Sequence, residues 1–264
     1  MGMKDFRYNP NKPVILGLAG KAATGKTSVA EAISPKAKID AFSHAMMWDH
    51  IFFALPLYEL ASIKKGVRGS RQEVRQLYGI HDVLYDLFGG SPIGDVPPYE
   101  TMVSMVRDIH SLPIEPEGIK PRTFLQKAGD ICRSYDSDCF SKWAIRKSHE
   151  IYLNHTRSLE EDAETKPVCV IVSDVRFLNE AEAILDQENG IVICYTASDE
   201  VRNERILNRD GVYMTKEQMN HISEKQIDSI SEIANLVMST DDLTIQEQSS
   251  FTFDFVSSLV GVYA

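Results

Sequence analysis

The chain has 264 residues, of which 43% are hydrophobic and 25% charged, an ordinary globular balance that argues against wholesale disorder. Its formal net charge of −10 disfavours broad attraction to nucleic acid or to an anionic membrane, so an anionic ligand needs a local cationic pocket. Four cysteines, none in CxxC spacing, argue against a disulfide framework and against zinc.

The first thirteen residues, MGMKDFRYNPNKP, read as a polar arm without the apolar stretch of a signal peptide. Residues 14–19 (VILGLA) form a short apolar run expected to be a buried parallel strand. A turn follows, and residues 26–33 have helical character until Ser34-Pro35 stops them. Residues 38–42 are a candidate second strand, and 46–63 read as a helix broken or bent at Pro56. With Asp49, His50 and Glu59 inside it, this most apolar window (residues 46–60) cannot span a bilayer, and the chain reads as soluble and cytosolic.

Two helical stretches, 71–87 and 99–109, are joined by the loop FGGSPIGDVPP, and the region 64–120 reads as a helical insertion or lid. Residues 122–135 and 138–152 read as two more helices or as one bent helix. Residues 168–172 (VCVIV) are the clearest buried strand, followed by a helix at 179–189 with Gly190 placed like a C-terminal cap. A strand at 191–195, a charged helix at 199–209, a helix at 215–222, a short strand at 235–238 and a C-terminal packing helix complete the order. Strands alternating with helices at these spacings predict a single α/β domain over 1–264, three layers deep, with a parallel sheet covered on both faces.

Residues 20–27, GKAATGKT, match G-x-x-x-x-G-K-[ST] between a strand and a helix, the context a phosphate-binding loop requires. Gly20 and Gly25 permit the tight turn, and the backbone of Ala22, Ala23 and Thr24 can point N–H groups at phosphate oxygens. Lys26 supplies an ammonium to the β- and γ-phosphates of ATP, Thr27 a hydroxyl to Mg²⁺, and Ser28 continues the helix whose positive end faces the anion. Such a site usually needs a carboxylate at a neighbouring strand end to hold Mg²⁺ through water. Asp174 is placed for that role or for capping the next helix, with Arg176 two residues on as a phosphate contact.

Ser173–Ile184, SDVRFLNEAEAI, resembles the DVRF-x-NEAEAI signature of bacteriophage-type deoxynucleoside monophosphate kinases. RTFLQ at 122–126 with Gly129, Arg133 and Trp143 resembles that family's R-x-x-LQ-x-x-G…R…W stretch, and LGLAGKAATGKTSVAEAI fits its first strand and loop. The likeness covers roughly 14–60 and 120–240 and not 64–120. It implies a P-loop nucleoside monophosphate kinase-like fold that uses ATP and Mg²⁺ in the cytoplasm, a host's if phage-encoded. A deoxynucleoside monophosphate is the implied acceptor, with no nucleic-acid or membrane partner; a homodimer is left open.

Arg202, Arg205 and Arg209 share one helix face by their spacing of three and four. After a phosphate loop they read as cations that close over the transferring phosphoryl group, in an arginine-rich lid over 199–224; alone, they would read as a solvated helix paired with Glu200 and Glu204. Among acceptor candidates, Arg122 and Arg133 suit bidentate phosphate binding, with Gln126 beside them; the alternative is that they are helix-surface arginines. Trp143 is a base-stacking candidate, though an aromatic residue on a helix is usually core. Asp40 and Ser43 follow the candidate second strand, where Asp40 is equally an acceptor contact or a turn residue. Two other activities stay open: dephospho-coenzyme A phosphorylation, which uses the same loop and arginine helix, and an ATPase switch acting on a macromolecule.

Overall fold

The computed structural model describes residues 6–34, 46–66, 71–89, 96–157, 166–211, 213 and 225–262. The chain separates into two compact units, Met1–Phe52 with Ala144–Ala264, and Phe53–Trp143.

Among the described residues the first unit is built on five strands: β1 (Val14–Gly20), β2 (Met47–Ile51), β3 (Val168–Val175), β4 (Gly190–Thr196) and β5 (Leu236–Ser239). All pairings are parallel and the order is β2-β3-β1-β4-β5. Around them lie α1 (Lys26–Ile33), α7 (Leu178–Leu185), α8 (Asp199–Asp210), α9 (Ile227–Ile233) and α10 (Ile245–Val260). Every residue of β1 is buried, as a central strand with both faces covered must be. Val14, Leu16 and Leu18 point to a core shared with Val29 and Ile33 of α1 and with Phe253 and Val256 of α10. The opposite face meets α7, where a Cβ on Gly17 would fall 2.7 Å from Ile184 Cδ1. Helices therefore cover both faces, and the unit is a three-layer α/β fold on a parallel sheet.

The second unit contains α2 (Leu55–Gly66), α3 (Gln72–Leu87), α4 (Tyr99–Ser111) and α5 (Arg122–Tyr135). The helix α6 (Cys139–Arg157) begins in it. Leu60, Ile80, Leu84, Ile109, Phe124 and Ala128 are wholly buried. Side chains also tie the helices together: Lys64 Nζ donates to His110 O, and Trp143 Nε1 donates to Asp86 Oδ2 at 2.9 Å. Among the described residues no helix is long and apolar enough to cross a membrane.

Three expectations from sequence are corrected. Residues 47–51 are strand β2, not the start of a helix, because they pair in register with β3 from Met47↔Val168 to Ile51↔Val172 while Trp48 packs on Phe253. Pro56 does not bend a helix; it is the second residue of α2, where a missing N–H costs no intrahelical bond. Gly190 is not a C-terminal cap. It opens β4, and a Cβ there would collide with the carbonyl of Ile184, whereas α7 ends at Asp186 in the right-handed helical region. The candidate strand at 38–42, with Asp40 and Ser43, and the helix at 215–222 lie outside the described residues.

Candidate phosphate-binding site

The loop leaves β1 at Gly20 and enters α1 at Lys26. Its turn uses positive φ at Gly20 (144°), Ala23 (63°) and Gly25 (100°). A side chain at Gly20 would collide with the Tyr195 carbonyl, and one at Gly25 would place its Cβ 2.5 Å from Gln248 Oε1. Both glycines of the motif are thus required by backbone angle and by close approach. Lys26, only 5% exposed, folds back over the loop, and its ammonium donates to Gly20 O at 2.6 Å and Lys21 O at 2.8 Å. The buried Thr24 hydroxyl donates to Lys21 O at 3.0 Å, while Thr27 and Ser28 are exposed in the first turn of α1. Beneath the loop, burial pushes the Cys194 thiol up to about 11 against the opposing pull of the Lys26 charge, so the thiol stays neutral.

Three consecutive loop carbonyls are held from outside by donors of distant sequence. Arg202 Nε donates to Ala22 O at 2.9 Å, Arg205 NH1 to Ala23 O at 3.3 Å, and Thr240 Oγ1 to Thr24 O at 3.2 Å. The bracket is itself braced: Arg202 NH1 pairs with Asp199 at 2.8 Å, and Arg205 NH2 donates to Thr240 O at 2.6 Å. Tying these carbonyls outward fixes the peptide planes, which sets where the loop N–H groups point.

The arginine helix supplies two of the three donors of this bracket. Arg202 is 7% exposed and engaged with the loop backbone, and Arg205 is half-buried with the same kind of partner. Both hold loop carbonyls in this arrangement, while Arg209 is exposed in the last turn. The helix is also anchored at its start, where Ser198 N and Oγ donate to Asp241 Oδ1 at 2.8 and 3.2 Å. Of the expected lid, residues 212 and 214–224 lie outside the described residues.

Asp174 belongs to β3, the neighbour of β1. It falls where the ladder slips, between Gly17↔Val172 and Ala19↔Val175, so the bulge lies beside the strand end that becomes the loop. Bulges of this kind re-aim side chains at sheet rims. The preceding Ser173 Oγ shares a 2.6 Å hydrogen bond with His50 Nε2 of β2. Arg176 and Phe177 donate their backbone N–H groups to the buried Glu180 carboxylate at 3.0 and 3.1 Å, which closes the start of α7. The motif SDVRFLNE therefore combines a bulged acidic strand end with a helix cap.

In the second unit, α5 sets Arg122, Gln126 and Arg133 on one face at spacings of four and seven, all half-buried. Arg133 lies back over Gly129, where a Cβ would come within 2.8 Å of NH1, and its guanidinium sits 4.7 Å over the Phe140 ring. Trp143 is 3% exposed with its N–H bonded to Asp86, so it packs that unit and presents no face to a base. Sequence reasoning missed Thr240, Asp241 and Gln248. The one signal available was the polar run STDDLT directly after a short apolar strand, a place where ligand-side loops occur in parallel sheets.

No protein-family model matches the chain, and no curated protein matches it. Solved structures with some similarity include an uncharacterized protein from Eubacterium ventriosum (12% identity, 94% of this chain and 99% of that chain, TM-score 0.41). TT1252 from Thermus thermophilus is 14% identical over 94% of this chain and 97% of that one, with a TM-score of 0.40. A gluconokinase from Sinorhizobium meliloti 1021 is 13% identical over 96% of both chains, with a TM-score of 0.37. At those scores the likeness carries no argument about chemistry, and the fold assignment rests on the strand order and the loop between β1 and α1.

Proposed function

We propose that this protein is a kinase that transfers the γ-phosphoryl group of ATP to the 5′-phosphate of a deoxynucleoside monophosphate. The observation that carries the phosphoryl-transfer reading is the bracketed loop: residues 20–27 with three outward-tied carbonyls and the buried Lys26 ammonium beside Gly20 and Lys21. The choice of acceptor rests on the resemblance of SDVRFLNEAEAI to the phage-type enzymes, supported by the bulge that holds Asp174 beside β1.

In this reading the loop N–H groups and the first turn of α1 cradle the β- and γ-phosphates. Lys26 exchanges its bonds to Gly20 O and Lys21 O for phosphate oxygens and offsets charge that spreads over the γ-oxygens as the bond to the leaving ADP lengthens. The Thr27 hydroxyl and the Asp174 carboxylate form a hard oxygen-donor set that fits Mg²⁺ together with phosphate oxygens, and the ion would further neutralise the β- and γ-phosphates. The reading assigns Arg122 and Arg133 to the acceptor's phosphate, on the chemistry of a bidentate guanidinium. An acceptor phosphate is largely ionised near neutral pH, so no general base is required.

The test is ADP formation from ATP with a panel of deoxynucleoside monophosphates, ribonucleotides and dephospho-coenzyme A. Stimulation by one or more deoxynucleotides with stoichiometric diphosphate product supports the reading. Turnover with dephospho-coenzyme A alone, or only slow hydrolysis with every small acceptor, overturns it. Lys26→Ala serves as the control: turnover falls by about 10²–10³-fold or more with the far-ultraviolet spectrum unchanged.

A further inference from the structure

The ladder between β3 and β1 carries an extra residue on the β3 side. Gly17 pairs with Val172 and Ala19 with Val175, so Ser173 and Asp174 together stand opposite Leu18. A bulge of this kind is a choice of register. It disrupts the ladder locally, bends the strand and sets which way its side chains leave the sheet. The side chain it re-aims here is Asp174, the carboxylate assigned above to the Mg²⁺ of ATP. With two residues facing one, the β1 ladder fixes this stretch only weakly.

A fastening comes from the other neighbour of β3. Strand β2 pairs with β3 without a slip from Met47↔Val168 to Ile51↔Val172, which sets His50 opposite Ile171 and diagonal to Ser173. Diagonal partners lie within reach of an aromatic side chain, and His50 Nε2 shares a 2.6 Å hydrogen bond with Ser173 Oγ. Ser173 is 1% exposed, so its hydroxyl is cut off from bulk water and this bond is stronger than a surface one. Cys169 and Ile171, two and four residues earlier on the same strand face, belong to the core shared with α1, so the row that ends in Ser173 is anchored along its length. The strand end carrying His50 is held as well. Its backbone N–H donates to Asp49 Oδ1 at 2.8 Å, and Asp49 Oδ2 lies 3.6 Å from His155 of α6. One bulge residue is thus tied to a regular ladder, while the next, Asp174, is half-buried at the strand end.

We propose that His50 is a positioning residue for the Mg²⁺ site: through Ser173 it holds the bulge in the register that aims Asp174 at the metal of the phosphate loop. Partners that orient a ligand in this indirect way govern metal affinity by about 10–100-fold. A bond that only stabilised the sheet would act on ATP affinity alike with and without the ion. The inference rests on the reading of Asp174 as a metal contact, which the experiment tests separately.

The experiment is equilibrium binding of ATP to the full chain, in EDTA and across a Mg²⁺ titration, and it needs no turnover. His50→Ala is expected to leave ATP affinity in EDTA near that of wild type and to raise the Mg²⁺ concentration that half-saturates the response by about ten-fold. His50→Gln, whose amide can donate or accept, recovers most of the response. Ser173→Ala repeats the effect from the other side of the bond and serves if His50→Ala folds poorly; the double variant is no worse than either single one. Asp174→Asn is the benchmark for the metal contact. A response lost in Asp174→Asn but intact in His50→Ala and Ser173→Ala overturns the positioning role and leaves the metal contact standing. A response unchanged in Asp174→Asn, or absent from wild type, removes the metal contact and the proposal with it. His50→Gln no better than His50→Ala, or equal losses with and without Mg²⁺, marks the bond as structural and overturns the proposal as well.

Discussion

Arg202 shows how one side chain's chemistry depends on what it touches. Its Nε bond to Ala22 O and its ion pair with Asp199 leave it as a brace for the loop. A hydrogen bond from a charged donor to a buried partner is worth roughly 1.5–3 kcal/mol, so Arg202→Ala should weaken ATP binding by about ten-fold or more. Arg202→Lys should recover only part, because an ammonium cannot reproduce the fork. Equilibrium binding of ATP reads this directly, and an unchanged affinity would remove Arg202 from the bracket. Glycines separate loop from scaffold in the same way. Gly25→Ala strains a φ of 100° and drives a Cβ against Gln248, so nucleotide binding should fail with modest loss of stability. Gly190→Ala collides with the Ile184 carbonyl where β4 begins, so it should lower Tm steeply without addressing the phosphate site. Thermal melts with and without ATP distinguish the two outcomes.

At the scale of elements, α8 and the turn after β5 act as one clamp on the loop. Ser198 accepts from Val201 N at the start of α8 and donates to Asp241 in that turn, while Gly211, with φ of 70°, ends the helix in a left-handed cap. Ser198→Ala removes the hydroxyl's bonds and should cost about 1 kcal/mol, seen as a fall in Tm of about 2–4 °C. Loss of ATP affinity well beyond that of a remote cap removal of equal cost, such as Thr244→Ala at the start of α10, would show that the clamp transmits to the loop. Element boundaries were legible wherever a local rule sets them. The helices at 122–135 and 199–209 coincide with α5 and nearly with α8: Pro121 precedes the first, and Ser198 and Gly211 cap the second. Strand β2 was not legible, since MWDHI becomes a strand only by pairing with β3 more than a hundred residues away.

Across the molecule, the sheet of the first unit grades from centre to edge. β1 lies between β3 and β4 with every residue buried, whereas β5 is an edge strand with alternating exposure. Amide hydrogen exchange should therefore be slowest in β1 and β4, at the rate of global unfolding, and faster in β5. Equal protection across all five strands would contradict that gradient. The loop inherits its rigidity at one end from this most protected strand.

The sequence by itself determined the glycine-bearing turn between β1 and α1, the acidic end of β3 and the parallel α/β order. A loop of eight consecutive residues, a run such as VCVIV and a glycine with special φ are local facts, written where they act. Only the tertiary structure decided that Arg202, Arg205 and Thr240 hold the loop, that Trp143 is core and that Gly190 admits a carbonyl. Those roles depend on partners as far as 216 residues apart, as in the Thr240–Thr24 bond, and periodicity along a helix shows which face a side chain shares but not what that face meets.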